Sequence, residues 1–494
     1  MPEINTPDWV KHAIFYQIFP DRFAKSERVE KPANLEPWDS DPTPFGYKGG
    51  DLLGVVERLD YLQDLGVTAL YFNPIFQSAS NHRYHTHDYY HVDPLLGGDE
   101  AFDELLTECQ RRGLRIVLDG VFNHASRGFF QFNDVLENGA ASPWLDWFTF
   151  HDHPANAYDH TRPPGYSSWV GLHALPKLNT DNPQVREYLM RIGEYWIRKG
   201  IDGWRLDVPF EITSSGFWAE FRSRMKAINP EAYIVGEVWG DSRQWLQGDQ
   251  FDGVMNYLFT EAAIAYGAGD RVVKETVAGR SYAPWPGIDA AAYRAKIDYL
   301  LDLYPWPIQL TQLNLLDSHD TSRFVTIAGD DDASVRLATL LLFTFPGAPS
   351  IYFGDEIGIT GALPDHWARK SFPWDHPDRW NHETLAYHKA IIALRKSCPA
   401  LRTGDYTSIS TQGGAYVFTR STSDQTLLVA VNCGASIESM TVPAGEVPAQ
   451  FSEATVRFFT GSAIAAEVTP DNLIMSLPAR SGAVFELPPA GAFA

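Results

Sequence analysis

The sequence predicts an α/β fold: a (β/α)8 TIM barrel with a loop-rich insertion after its third strand and a C-terminal antiparallel β-sandwich. Three observations predict it. Short apolar, β-branched runs alternate with helix-like segments and no clean hairpin falls between them, the pattern of parallel βα units. One long stretch, residues 125–181, interrupts the alternation without helical period. From Leu401 onward the composition changes to short alternating runs separated by Gly, Ser and Pro.

The strand candidates in order are Ala13–Phe19, Ala69–Phe72, Arg115–Leu118, Gly203–Leu206, Ala232–Val235, Phe251–Val254, Gln312–Leu316 and Ser350–Phe353. Asp51–Leu65 reads as a helix opened by Gly-Gly-Asp and closed by Gly66. Glu100–Arg112 closes at Gly113, Pro183–Lys199 at Gly200, and Phe217–Ile228 stops before Pro230. Such units fit a barrel better than an open doubly wound sheet, because no Gly-rich phosphate loop follows the first strand. The predicted barrel occupies 1–124 and 182–400, and an inserted domain over its mouth occupies 125–181. A loop that long inside a compact domain is usually functional. The C-terminal sandwich, 401–494, includes the runs Ala415–Arg420, Thr426–Asn432 and Ala483–Leu487.

Composition narrows the partners. With 40 Lys and Arg against 62 Asp and Glu, the 494-residue chain carries a formal charge of −22. That charge repels phosphate backbones and anionic lipid, which argues against nucleic acid and membrane surfaces. The longest apolar stretch, Leu337–Phe345, is too short to span a bilayer, and no secretory leader is visible, so a cytoplasmic location is expected. Three cysteines make no disulfide framework. The 13% aromatic content suits a cleft that stacks on sugar rings as well as it suits an aromatic core.

Barrel chemistry sits at the C-terminal strand ends. There the sequence places Asp119, Asn123 and His124 after strand three, Arg205 and Asp207 on strand four, and Glu237 with Trp239 after strand five. Asp317, Ser318, His319, Asp320 and Arg323 follow strand seven. Each alone reads as a cap, a turn or an ion pair. Together they form a costly like-charge cluster, and mutual repulsion raises one carboxyl pKa, as a general acid near neutral pH requires. Paired carboxylates are the tools of glycoside hydrolysis. The basic cradle of phosphoryl transfer is missing. His82, His85, His87 and His91 read as polar cleft lining, with metal binding the lesser reading.

These residues resemble the α-amylase superfamily of glycoside hydrolases, family 13. The resemblance rests on DGVFNH (Asp119–His124), GWRLDV (Gly203–Val208), GEVW (Gly236–Trp239), LLDSHD (Leu315–Asp320) and LPKLN (Leu175–Asn179), in that order. YQIFPDRF (Tyr16–Phe23), FGDEIG (Phe353–Gly358) and ALRKSCPALRTGDY (Ala393–Tyr406) add to it. It implies Asp207 as nucleophile, Glu237 as general acid/base and Asp320 as the third carboxylate. His124 and His319 are implied as sugar ligands, Arg205 as the partner of Asp207 above Asp119, and Tyr84 as the stacking tyrosine. Trp239, Phe210, Glu211 and Arg323 are further implied substrate contacts.

LPKLN and Val208-Pro209-Phe210-Glu211 resemble the neopullulanase, cyclomaltodextrinase and maltogenic amylase group. The implied substrates are cyclodextrins, maltooligosaccharides, starch or pullulan, cleaved at α-1,4 bonds with retention and some transglycosylation. No cofactor is required on this reading. Calcium is disfavoured, because Glu211 stands where calcium-holding amylases carry His and residues 24–37 lack an Asp- and Asn-rich loop. The group's N-terminal β-sandwich is expected to be absent, since YQIFP begins at Tyr16. A monomer, or a dimer not built on that domain, is therefore expected. The alternatives are an exo-acting α-glucosidase or oligo-1,6-glucosidase, disfavoured by Lys177 in the fifth motif, and a non-catalytic sugar-binding barrel.

Overall fold

Eight short parallel strands form the central sheet: β1 (Phe15–Ile18), β2 (Ala69–Phe72), β3 (Arg115–Gly120), β4 (Gly203–Leu206), β5 (Tyr233–Gly236), β6 (Gly253–Val254), β7 (Leu313–Asn314) and β8 (Ala348–Tyr352). Their order is β6-β5-β4-β3-β2-β1-β8-β7, and a parallel bridge between Met255 and Leu313 closes the ring. The computed structural model describes residues 4–152, 155–446, 454–469 and 471–488.

Strand periodicity explains the two layers of core, because alternate side chains face opposite sides of a strand. Phe15, Tyr71, Val117, Tyr233, Val235 and Leu313 fill the barrel interior. Tyr16, Leu70, Ile116, Trp204, Ile234 and Ile351 face the surrounding helices. Each such apolar side chain contributes about 1.5–3 kcal/mol on burial. β4 begins on Gly203, where a Cβ would come within 2.3 Å of the Tyr233 carbonyl oxygen, so only glycine permits that approach.

β6 and β7 are shorter than the sequence suggests because side chains replace ladder bonds there. The Gln312 amide oxygen accepts from Val254 N (3.0 Å) and Thr311 Oγ1 donates to the Asp252 carbonyl (2.6 Å). The helices around the sheet include α1 (Leu59–Leu65), α2 (Gly98–Arg112), α3 (Pro183–Lys199), α4 (Phe217–Ile228), α5 (Tyr257–Gly267), α6 (Ala290–Leu303), α7 (Asp332–Thr344) and α8 (His382–Ser397). α3 shows why they start and stop where they do. Asn182 caps it by accepting from Gln184 N, Pro183 opens it, and Gly200 ends it at φ 117°. The helix expected over Asp51–Leu65 is broken at Arg58, whose ψ of 6° leaves the helical range while its guanidinium sits 4.5 Å above the Trp374 ring.

Between β3 and α3 the chain makes an excursion with more structure than its sequence suggests. It holds a helix, Phe130–Asn138, and isolated antiparallel bridges tie His124 to Lys177 and Phe148 to Leu178. Its own core is aromatic: the Phe132 ring lies 4.9 Å from both Phe148 and Tyr166.

The C-terminal strands are β9 (Asp405–Gln412), β10 (Ala415–Ser421), β11 (Thr426–Asn432), β12 (Glu438–Pro443), β13 (Thr455–Thr460), β14 (Ala465–Val468), β15 (Asn472–Leu477) and β16 (Ser481–Leu487). They form two antiparallel sheets, β9-β10-β11-β16-β13 and β12-β15-β14. The central strands of the first sheet, β10, β11 and β16, are buried on both faces. Leu428, Ala430 and Phe485 meet Met440 and Met475 of the second sheet, while Leu427, Val429 and Val431 join the barrel core. Among the described residues no helix is long and apolar enough to cross a membrane.

Candidate active site

Arg205 is the centre around which the acidic residues collect. It and Asp207 are two apart on one strand, so both point into the barrel above the apolar filling. The register sets Arg205 beside Asp119 on β3, and two bonds past the strand ends, Asp207 N to Gly120 O (3.1 Å) and Glu237 N to Leu206 O (2.9 Å), fix the acids at the mouth. Arg205 is fully buried, and its Nη1 donates to both Asp119 oxygens (2.9 and 3.0 Å) and to Asp207 Oδ1 (3.0 Å). Its Nη2 lies 2.9 Å from Glu237 Oε2. One cation thus faces three carboxylates.

Burial, together with repulsion from Glu237, Asp119 and Asp320, pushes the Asp207 carboxyl up against the opposing pull of Arg205. Burial also raises Glu237, with Asp320 adding to the shift and Arg205, Trp239 and Val208 opposing it. The indole of Trp239 donates to Glu237 Oε1 (3.0 Å), and Val208 N donates to Oε2 (3.2 Å). Val208 adopts φ 36°, ψ 51°, a left-handed conformation that is rare for a β-branched residue.

His319 and Tyr84 occupy the opposite wall. Gln17 Nε2 donates to His319 Nδ1 (2.9 Å), which leaves Nε2 as the protonated nitrogen in this network. Nε2 reaches Tyr84 OH (2.6 Å) and Asp320 Oδ2 (3.1 Å), and Tyr84 OH donates to Asp119 Oδ2 (2.8 Å). Burial holds His319 neutral and lowers His124 to about 3. The Nε2 of His124 is buried and has no hydrogen-bond partner among the described residues, and its ring stacks on Trp169 at 5.6 Å.

A cavity of about 440 Å³ collects Tyr84, His124, Asp207, Phe210, Glu237, Trp239, His319 and Asp320. Three of the implied site residues lie outside the cavity wall. Arg205 sits beneath the carboxylates rather than in the cavity wall. Glu211 is turned to Lys177 (2.9 Å) on the excursion. Arg323 is fully buried, donates to the Phe353 and Ala368 carbonyls, pairs with Asp355 (2.9 Å) and packs 3.8 Å from the Tyr352 ring. It braces the turn after β7 instead of meeting a ligand.

The four histidines after β2 do not converge. His82 and His85 line the cavity, with burial lowering His85 to about 4. His87 packs against Gly128, and His91 pairs with Asp99 (2.8 Å) on the surface. Among the described residues no cluster of three or more His, Cys, Asp or Glu has metal-holding geometry.

The sequence reasoning missed Trp169, Leu172, Arg280, Asp365 and Arg369, which also line the cavity. Arg369 holds the third acid: its Nη2 reaches Asp320 Oδ1 and Asp365 Oδ2 (both 3.2 Å), and its Nε donates to His319 O (2.7 Å). The opposite charges of Asp365 and Arg369 at i, i+4 were the only available signal, and they sit in a loop where helical spacing had no standing.

Paired buried carboxylates at the mouth of a (β/α)8 barrel, with neutral imidazole and phenol groups opposite, define a glycosidase of the carboxylate-pair type. The family described as "Alpha amylase, catalytic domain" matches residues 17–376, and "Alpha-amylase C-terminal domain" matches 404–485. The chain belongs to the α-amylase family, glycoside hydrolase family 13, and is an α-glucan hydrolase. It is 41% identical to a cyclomaltodextrinase of Geobacillus thermopakistaniensis over 96% of this chain and 76% of that one. It is 44% identical to neopullulanase 2 of Thermoactinomyces vulgaris over 87% and 70% of the two chains. The solved debranching enzyme of Nostoc punctiforme is 57% identical over 98% of this chain and 99% of its own, with a TM-score of 0.90.

Proposed function

We propose that this chain cleaves α-1,4 bonds of cyclodextrins, maltooligosaccharides, starch or pullulan with retention of configuration, and transfers glycosyl units to sugar hydroxyls as a side reaction. The observation that carries this reading is the single Arg205 guanidinium in contact with both Asp207 and Glu237. It aims Asp207 and opposes the upward shift of both carboxyls, while burial and the charge excess of the cluster favour one shared proton, which the mechanism places on Glu237. Asp207 attacks the anomeric carbon as Glu237 gives its proton to the bridging oxygen, forming a glycosyl-enzyme ester. Glu237, now a carboxylate, takes a proton from water, whose oxygen displaces Asp207. Asp320, His319 and His124 bind ring hydroxyls and Tyr84 stacks on the ring.

A metal is not needed on this reading. The loop after β1 is organised by an internal cation: the fully buried Lys48 ammonium donates to the carbonyls of Pro37 (2.9 Å) and Ser40 (2.7 Å) and to Ser40 Oγ (2.7 Å). Such an all-oxygen set suits a cation, and the chain supplies its own. Branch-point cleavage is the second reading, favoured by the near full-length match to a protein titled debranching enzyme. Initial rates on β-cyclodextrin, starch, pullulan and amylopectin, each with and without a chelator, test both. Fast cyclodextrin opening indifferent to chelator supports the first reading. Release of linear chains from amylopectin ahead of cyclodextrin opening favours the second. Loss of activity on chelation contradicts metal independence.

A further inference from the structure

We infer that Tyr257 is the positioning residue that fixes the spacing between Glu237 and Asp320. The inference rests on the roles given above to those two carboxyls and adds a residue that lies outside the cavity wall.

The need for such a residue follows from the lengths of the strands. Glu237 follows β5 and Asp320 follows β7, and the strand between them, β6, is two residues long. So short a ladder leaves the two acidic segments without a shared backbone frame at the height of the acids. The chain after β6 supplies one. Met255 N donates to Gly236 O (2.9 Å) and Asn256 N to Leu313 O (2.8 Å), which ties this segment to both flanking strands. Asn256 then caps α5 by accepting from Phe259 N (3.2 Å), and Tyr257 is the first residue of that helix.

Tyr257 is 1% exposed, and it touches the support of each acid. Its ring stacks on the Trp239 indole at 3.8 Å and 8°, and that indole donates to Glu237 Oε1 (3.0 Å). Its hydroxyl lies 2.8 Å from Ser318 Oγ, which accepts from Asp320 N (3.2 Å). Tyr282 packs against both rings, 5.8 Å from Trp239 and 6.2 Å from Tyr257. Burial, with Asp320 and Glu237 adding to it, holds the phenol proton in place, so the link to Ser318 stays uncharged. One side chain thus joins the general acid to the third carboxylate through two contacts of different kinds.

The two contacts have separable consequences. Both acids act on one sugar ring, and a displacement of about 1 Å costs on the order of 10²-fold in rate. Trp239 serves Glu237, whose proton is needed only when the leaving group is poor. Asp320 acts on the ring whatever departs.

Two variants cut the contacts in turn. Tyr257→Phe keeps the buried ring, and so the fold, and removes the hydroxyl; Tyr257→Leu also removes the stack. The readout is kcat/KM on maltohexaose and on α-maltosyl fluoride, whose fluoride departs without a proton. Tyr257→Phe is expected to lose about tenfold on both substrates and to keep their ratio. Tyr257→Leu is expected to lose about tenfold on the fluoride and about 10²-fold on maltohexaose. A role in packing alone lowers both substrates together, so an unchanged ratio in Tyr257→Leu overturns the tie to Glu237. Wild-type rates in Tyr257→Phe overturn the tie to Asp320. Glu237→Gln, measured in parallel, separates this inference from the reading beneath it. If Glu237→Gln lowers the ratio and Tyr257→Leu does not, the inference alone fails; a wild-type ratio in Glu237→Gln overturns both.

Discussion

At the scale of residues, the site gathers three buried carboxyls around one cation, which opposes the upward shift that burial gives each of them. The indole N–H of Trp239 opposes the upward shift of Glu237. Trp239→Phe is therefore expected to move the alkaline limb of the kcat/KM profile to higher pH, because the acid holds its proton longer. A limb that stays in place or moves down contradicts the assignment. Because His319, His124 and His85 are held neutral by burial, the same profile should show no imidazole step near 6.5. Val208 supplies a second residue-scale test. At φ 36° a Cβ costs about 1–2 kcal/mol, so Val208→Gly is expected to be more stable to urea than Val208→Ala by about 1 kcal/mol. In an ordinary strand or helix the order is the reverse. Alanine proving the more stable would show that the left-handed turn is not held in solution.

At the scale of elements, the segment after β8 is tied down by a carboxyl that has no cation beside it among the described residues. Glu356 is fully buried and accepts from Tyr61 OH (2.7 Å), Tyr16 OH (2.8 Å) and Gly354 N (2.9 Å). Burial raises it from 4.5 to about 7 against those bonds. The folded chain thus holds this proton more tightly than the unfolded chain. The associated stability is complete below 4.5 and is lost as pH rises through about 7, a fall of about 3 kcal/mol. Denaturation between pH 4.5 and 8 should show that slope in the wild type and a flatter one in Glu356→Gln. Equal slopes would remove Glu356 as the source. β11 makes a complementary point, since it is buried on both faces and Val429 joins the barrel core from the appended sheet. Val429→Ala is expected to lower stability by about 2 kcal/mol and to shift a single unfolding transition, not to split it.

At the scale of the whole molecule, the sequence was most informative where local periodicity and tertiary need agree. Barrel strands β2 and β4, the glycine stops at Gly66, Gly113 and Gly200, and the acids at the strand ends were all legible, because period, cap and chemistry are local properties. β6 and β7 were overextended because Gln312 and Thr311 side chains complete the sheet, and a side chain doing backbone work leaves no periodic trace. Arg323 was misplaced for a related reason: an arginine near an acidic motif has the same spelling whether it meets a sugar or the carbonyls of Phe353 and Ala368. Arg369 was missed because its role arises only when the loop after β8 folds over β7.

The central claim is that Asp207 forms the glycosyl ester and Glu237 supplies and reclaims the proton. The measurement that tests it most directly is the reaction of Glu237→Gln with α-maltosyl fluoride, followed by peptide mass analysis. Fluoride departs without a proton, so ester formation should survive in this variant although cleavage of unactivated glucans falls by about 10²–10⁴-fold or more. Without its base the variant cannot activate water, and a maltosyl unit should accumulate on the peptide that contains Asp207. A label on another residue, or a loss of fluoride reactivity as large as the loss on glucans, would contradict the assignment.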